Sequence, residues 1–259
     1  MFQKILAGTD GSDSATLALD HAVHLAERLG AELTVLTAHR RPDPSVASGS
    51  TEQVIAGALL RDVEAAYGGR VTLETRVAAG DAAGALLDLA QEEGHDLVVV
   101  GNRGISLGGA LQPGSVPERV SRRAPAAVLV VDTVGRRPPG YQRILVGTDG
   151  SETAARAVEA SIALANALEA DLAIATVTSS VREGRRVVSA LQARWPDVVT
   201  HALDGEPSEA LSDLTQSGRY DLLILGNKGM TGLRRAMGSV PARVLRRAPT
   251  TVLIVHTTG

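Results

Sequence analysis

The chain has 259 residues, 44% hydrophobic and 2% aromatic, with a formal net charge of -3. It has no Cys, which excludes disulfides and thiolate metal sites, and its weak, mixed charge argues against nucleic acid as a partner. No apolar run reaches the roughly 20 residues a membrane helix needs, and no signal-peptide core precedes the first strand, so a cytoplasmic protein is expected.

Taken in order, Lys4 to Thr9 reads as a short apolar strand ending at Asp10-Gly11-Ser12, and Ser12 or Ser14 caps the helix that follows. In that helix Ala15, Leu19, Ala22, Val23, Ala26 and Leu29 fall at helical spacing, and Gly30 stops it. Glu32 to Ala38 is a second strand, and His39 to Ser50, with its Pro and Ser residues, is a loop. Thr51 to Tyr67 is helical, with Val54, Ala58, Leu59 and Val63 as its inner face. Val71 to Val77 alternates as a strand does, and Asp81 to Glu93 forms a helix with Leu86, Leu87, Leu89 and Ala90 on its apolar side. Asp96 to Val100 is a buried strand that runs into a glycine-rich loop, Gly101 to Ser115. Val116 to Arg123 is a short helix and Ala126 to Val131 the closing strand.

The order then repeats. Gln3 to Ser12 reads QKILAGTDGS and Gln142 to Ser151 reads QRILVGTDGS, while Arg122-Arg123-Ala124-Pro125 matches Arg246-Arg247-Ala248-Pro249. A repeat this long is a duplicated domain. The expected division is 1–133, a linker at 134–140, and 141–259. In the second copy, strands are expected at 143–148, 171–178, 198–203, 221–225 and 251–256, and helices at 152–168, 182–194, 207–216 and 240–246.

Strands alternating with helices predict an α/β fold: two doubly wound domains, each with a parallel sheet and helices on both faces. Ligands in such sheets sit beyond the strand carboxyl ends, where the strand order reverses. Asp10-Gly11-Ser12 and the loop from Gly101 both lie at strand ends. Glycines there let backbone approach a ligand, and the helix start after Gly114-Ser115 offers N–H groups to an anion, so the stretch reads as a phosphate cradle. A plain strand-to-helix loop is the alternative for either stretch alone. No G-x-x-x-x-G-K-S/T and no G-x-G-x-x-G is present, which sets aside P-loop and dinucleotide chemistry. His21 and His24 share a helix face without a third ligand, and Trp195 reads as a packing residue.

The GTDGS stretches, the spacing of Gly101, Gly104, Gly114 and Ser115, and the Ala-Pro-led closing strands resemble the universal stress protein family in two tandem copies. The resemblance implies a five-stranded sheet in the order 3-2-1-4-5 in each half, and ATP bound at these loops, with Mg²⁺ as a companion of the phosphates. Carried over by position, Asp10 sits by the adenosine and Gly8 and Ala38 near the base. Gly101, Arg103 and Gly104 line the phosphates, and Gly114, Ser115 and Val116 donate to them. The second-half set is Gly147, Asp149, Val177, Gly226, Lys228, Gly229, Gly238, Ser239 and Val240. Eight residues separate Gly229 from Gly238, against nine between Gly104 and Gly114. For Asp10 and Asp149, a Mg²⁺-ligand role and a loop-orienting role both stand.

The function implied is an ATP-binding stress-response sensor or regulator acting through nucleotide occupancy on an unidentified protein partner, with neither nucleic acid nor membrane involved. A slow ATP hydrolase and a nucleotide-free interaction module are the rival readings. No residue stands out as a catalytic base. The closing strands Val128 to Val131 and Val252 to Val255 are apolar edges, from which a pseudo-dimer of the halves, with room for a homodimer, is expected.

Overall fold

The computed structural model describes residues 1–39, 51–103, 114–227 and 240–256. Contacts divide the chain into two units, Phe2–Pro139 and Gly140–Gly259, with Met1 grouped apart from the first. The first contains β1 (Lys4–Gly8), α1 (Asp13–Leu29), β2 (Glu32–His39), α2 (Thr51–Tyr67), β3 (Leu73–Ala79), α3 (Ala82–Glu92), β4 (Leu97–Gly101), α4 (Val116–Arg123) and β5 (Ala127–Val131). The second contains β6 (Arg143–Thr148), α5 (Glu152–Leu168), β7 (Asp171–Thr178), α6 (Val181–Arg194), β8 (Val199–Asp204), α7 (Pro207–Ser217), β9 (Leu222–Gly226), α8 (Val240–Arg247) and β10 (Thr251–Val255).

Within the first unit the strand order is β3-β2-β1-β4-β5, and within the second β8-β7-β6-β9-β10, the same 3-2-1-4-5 arrangement. Pairing within each unit is parallel, with Ile5 opposite Leu33 and Leu97, and Ile144 opposite Leu172 and Leu222. The fold is thus the α/β arrangement expected from sequence. The runs at β4 and β5 are buried at every residue, as β-branched strands covered on both faces must be. β3 and β8 instead alternate between exposed and half-buried positions.

One carboxylate pins the centre of each sheet. Asp96 accepts from the backbone N–H of Gln3 (2.7 Å) and Lys4 (3.1 Å), and Asp221 accepts from those of Gln142 (3.0 Å) and Arg143 (2.9 Å). Each bond ties the start of the first strand to the start of the fourth, the pair whose far ends flank the switch point.

α1 and α5 start and stop for local reasons. Ser12 and Ser151 each accept from the N–H three residues on, at 3.2 Å. Gly30 ends α1 in the left-handed region at φ 65°, whereas Glu169 ends α5 at φ 56°, a conformation that costs a non-glycine residue roughly 1 kcal/mol. The inner face of α2 differs from expectation. Ala56, Leu60 and Val63 are buried, while Val54 is 66% exposed and Ile55 61%. Several apolar stripes fit this helix, and tertiary packing selects the one that ends at Val63. On α3 the buried face is Ala83, Leu86 and Ala90, with Leu87 and Leu89 only partly covered.

Candidate functional site

In each unit the first strand lies between the second and the fourth, so the crossovers leave in opposite directions from its carboxyl end. A crevice opens at that point. In the first unit it is bordered by Gly8 at the end of β1, by Ala38 near the end of β2, and by Gly101 at the end of β4. Gly114, Ser115 and Val116 follow at the start of α4. Arg103 is exposed beside them. Gly104 lies outside the described residues.

The turn after β1 is built by its own side chains. Asp10 Oδ1 accepts from Ser12 N (3.0 Å) and Ser12 Oγ (2.6 Å), and Thr9 Oγ1 accepts from Gly11 N (3.3 Å). Gly11 sits at φ 78°, which is why glycine is required there. The second unit repeats the device: Asp149 Oδ1 accepts from Ser151 N (2.9 Å), Thr148 Oγ1 accepts from Gly150 N (3.1 Å), and Gly150 is at φ 75°. Both aspartates therefore orient their loop.

Two glycines have no room for a side chain. A Cβ on Gly8 would lie 3.0 Å from Leu86 Cδ1, and one on Gly101 would lie 3.2 Å from both Ser14 O and Arg103 O. The contact with Ser14 O puts the start of the glycine loop against the start of α1, so the structure joins the two sequence stretches at one place. Asn102, which sequence reasoning passed over, holds the loop from behind. Its Nδ2 donates to Asp132 (3.0 Å) and its Oδ1 accepts from the Thr133 N–H (3.1 Å) and hydroxyl (2.7 Å). An asparagine directly after the strand glycine in both halves was the available signal, because Asn227 N likewise donates to Val255 O at 2.9 Å, as Asn102 N does to Val131 O.

The start of α4 differs from the helix starts whose cap residue accepts through a side-chain oxygen. Ser12, Asp81, Ser151 and Glu206 each cap their helix with a side-chain oxygen. Ser115 has the extended backbone of a cap (φ -66°, ψ 157°) but makes no such bond. Its Oγ is buried and without a hydrogen-bond partner among the described residues. Gly114 N donates to Glu118 Oε2 at 3.3 Å, and Glu118 Oε1 in turn pairs with Arg122 at 2.6 Å. A carboxylate oxygen thus rests on the amide just before this helix start, where the helix dipole favours an anion. Arginines of α4 and, in the second unit, of α8 pair with carboxylates. Arg119 grips Asp81 through two 2.6 Å bonds and holds its carboxyl below the usual range, Arg243 pairs with Glu206 (3.0 Å), and Arg247 with Glu209 (2.7 Å).

In the second unit a cleft of about 180 Å³ is lined by Gly147, Asp149, Val177, Gly226 and Val240, five of the nine residues expected there. Leu211, Leu225 and Pro241 complete an apolar floor. A Cβ on Gly147 would lie 2.7 Å from Leu225 Cδ2, so the floor is made by packed leucines against bare backbone. This volume falls below the about 300–1,000 Å³ typical of pockets that engulf a drug-sized molecule. Lys228, Gly229, Gly238 and Ser239 lie outside the described residues. Among the described residues no group of three or more His, Asp or Glu is placed to hold a metal ion, and no helix is long and apolar enough to cross a membrane.

The profile of the Universal stress protein family matches residues 1–132, 140–190 and 179–256. A universal stress protein of Mycobacterium tuberculosis is 36% identical over 144 residues, covering 46% of this chain and 98% of that protein. Universal stress protein YxiE of Bacillus subtilis is 34% identical over 147 residues, covering 51% of this chain and 99% of its own. Each relative is thus as long as about one half of the chain. The crystal structure of a universal stress protein from Archaeoglobus fulgidus spans both halves, with a TM-score of 0.79, 22% identity, and coverage of 98% of this chain and 96% of that one. With the profile matching both halves and the fold shared end to end, the chain belongs to the universal stress protein family as a tandem member.

Proposed function

We propose that each unit binds ATP at the carboxyl ends of its central strands, and that occupancy is the signal this protein delivers. The observation that carries the reading is the start of α4: a cap serine whose buried hydroxyl is uncommitted, next to an amide already holding a carboxylate oxygen. Gly114, Ser115 and Val116 would take the phosphates, with Gly101, Arg103 and Gly104 lining them and Mg²⁺ offsetting their charge. Asp10, Gly8 and Ala38 would face the nucleoside. In the second unit the cleft at Gly147, Asp149, Val177, Gly226 and Val240 would take the base, and Lys228, Gly229, Gly238 and Ser239 the phosphates. Bound nucleotide shifts the population of surface conformations offered to a protein partner, which requires that one conformation bind ATP more tightly than the other. Glu118, Asp81 and Glu206, the carboxylates nearest these helix starts, are each paired with an arginine.

Mass spectrometry of nucleotide released on denaturing the purified protein, followed by calorimetry with ATP and Mg²⁺, tests the reading. One or two adenine nucleotides per chain with measurable heat are expected. No released nucleotide and no heat would overturn it in favour of an interaction module.

A further inference from the structure

The second unit carries another cavity, of about 850 Å³, at the opposite end of its sheet. Arg143, Asp171 and Val199, the first residues of β6, β7 and β8, border it. It is therefore roughly 17 Å, the length of a strand, from the nucleotide cleft. The volume lies within the range of sites that enclose small molecules.

Internal duplication explains why this space exists. α1 and α5 are both 17 residues long, and Glu27 and Asn166 hold the same place, third from the end. By strand register Thr34 opposes Glu74 and Ala173 opposes Val199, so Arg70 and Trp195, each four residues earlier, also correspond. In the first unit Arg70 and Glu27 join through two bonds of 2.8 and 2.9 Å across this position. In the second, Asn166 and Trp195 stand there instead, and both line the cavity. The ion pair is gone, and a single indole and an amide border open space.

The walls are planar. The Arg143 guanidinium lies 5.1 Å from the centroid of Tyr220, whose hydroxyl is 3.2 Å from His201 Nε2. Among the described residues no carboxylate pairs with Arg143. Arg194 lies 4.6 Å from the Trp195 centroid and is held by Glu159. The charges bordering the cavity, Arg143 and Arg194 against Asp171 and Asp197, balance, so net charge selects neither anion nor cation. What remains for recognition is stacking on flat faces and hydrogen bonding to Asn166 and His201.

We propose that this groove is a second ligand site, for a flat, uncharged heteroaromatic ring that stacks on the planar groups of its walls, the Arg143 guanidinium and the Trp195 indole. The test uses the full chain and quinoline at neutral pH, followed by saturation-transfer NMR and titration. Quinoline is expected to bind and to persist under saturating ATP. Arg143→Gln, an exposed change that leaves the core intact, should weaken it about two- to fivefold, the worth of one stacked guanidinium. The double variant Asn166→Glu with Trp195→Arg rebuilds the first unit's ion pair and should abolish binding. Absence of saturation transfer, displacement by ATP, or equal affinity in both variants would overturn the proposal.

Discussion

The two ends of the sheets have diverged to different degrees between the repeats. At the carboxyl ends two bonds recur: in Thr9-Asp10-Gly11-Ser12 and Thr148-Asp149-Gly150-Ser151 the threonine Oγ1 and the aspartate Oδ1 accept from the same backbone N–H groups within 0.2 Å, and the glycines share a positive φ. At the amino ends, Asp96 and Asp221 keep matching backbone bonds, but the Arg70–Glu27 pair becomes Trp195 and Asn166, and buried His95 becomes Tyr220. Both regions border the same strands and both are legal ways to close an α/β sheet. The difference teaches that packing alone does not demand the turn geometry. The likeness of the carboxyl ends fits the ligand site proposed for both units.

The largest expected break in that likeness comes from the floor glycines. Gly147→Ala places a Cβ 2.7 Å from Leu225 and 3.1 Å from Leu211, both packed, whereas Gly8→Ala meets Leu86 alone at 3.0 Å. Overpacking a core costs about 1–3 kcal/mol, so Gly147→Ala should fall within this range and Gly8→Ala at its low end or below. Urea unfolding measures the difference. Gly147→Ala should also remove nucleotide from the second unit, reducing a stoichiometry of two to one. Equal nucleotide content in wild type and variant would separate the floor from the site.

The start of α4 allows a sharper contrast with α1. Ser12→Ala removes a real cap and should cost about 1 kcal/mol. Ser115→Ala removes a hydroxyl that caps nothing, so its unfolding free energy should barely change. Its ATP affinity should instead fall about tenfold or more, the worth of a hydrogen bond to a charged group. A smaller effect of opposite sign is expected at Glu118. Its carboxylate occupies the Gly114 N–H, and the matching residue in the second half is Ala242. Glu118→Ala should strengthen ATP binding about two- to fivefold while costing stability of about 0.3–1 kcal/mol from the lost helix-dipole contact. Titration calorimetry beside thermal melts reads both. Weaker binding in Glu118→Ala would mean that the carboxylate supports the cradle rather than competing for it.

Much of this was legible in the sequence for definite reasons. Apolar runs such as Leu97–Gly101 and Leu222–Gly226 allow no reading but buried strands, and Gly30 and the capping serines mark helix ends by local chemistry. Five of the residues expected in the second half line one cleft because fixed strand order carries strand ends to one place. What stayed hidden depends on distant partners. The face of α2 was misread because its sequence offers apolar residues on several sides, and only packing against β2 and β3 chooses Ala56, Leu60 and Val63. Asn102, Asp96 and Asp221 act across 30 to 93 residues of sequence, and only their recurrence in both halves marks them. The amino-end groove was invisible because it arises from a pair that is missing.

The smallest expected effect tests whether the amino-end differences reach stability. His21 and His95 are 3% and 5% exposed, and desolvation by burial lowers the pKa of both below the usual 6.5. His21 Nε2 stands 3.2 Å from Arg137 O, and His95 Nε2 stands 3.1 Å from Thr34 Oγ1; burial, not these contacts, disfavours the charged ring. By the α1–α5 and β4–β9 correspondences, the second unit has Ala160 and Tyr220 at these places. A histidine with a lowered folded pKa binds its proton more readily when unfolded, so its stabilising contribution is complete above 6.5 and is lost as pH falls toward the folded value. The first unit should therefore lose stability between pH 7.5 and 5.5 relative to the second. Trp195, the one tryptophan, reports on the second unit, while far-ultraviolet circular dichroism reports on both. In urea at pH 7.5 the two signals should lie closer together than at pH 5.5, where the dichroism transition gains an earlier phase that the fluorescence lacks. His21→Ala with His95→Tyr should remove that early phase. Its persistence in the double variant would place the acid sensitivity elsewhere in the first unit.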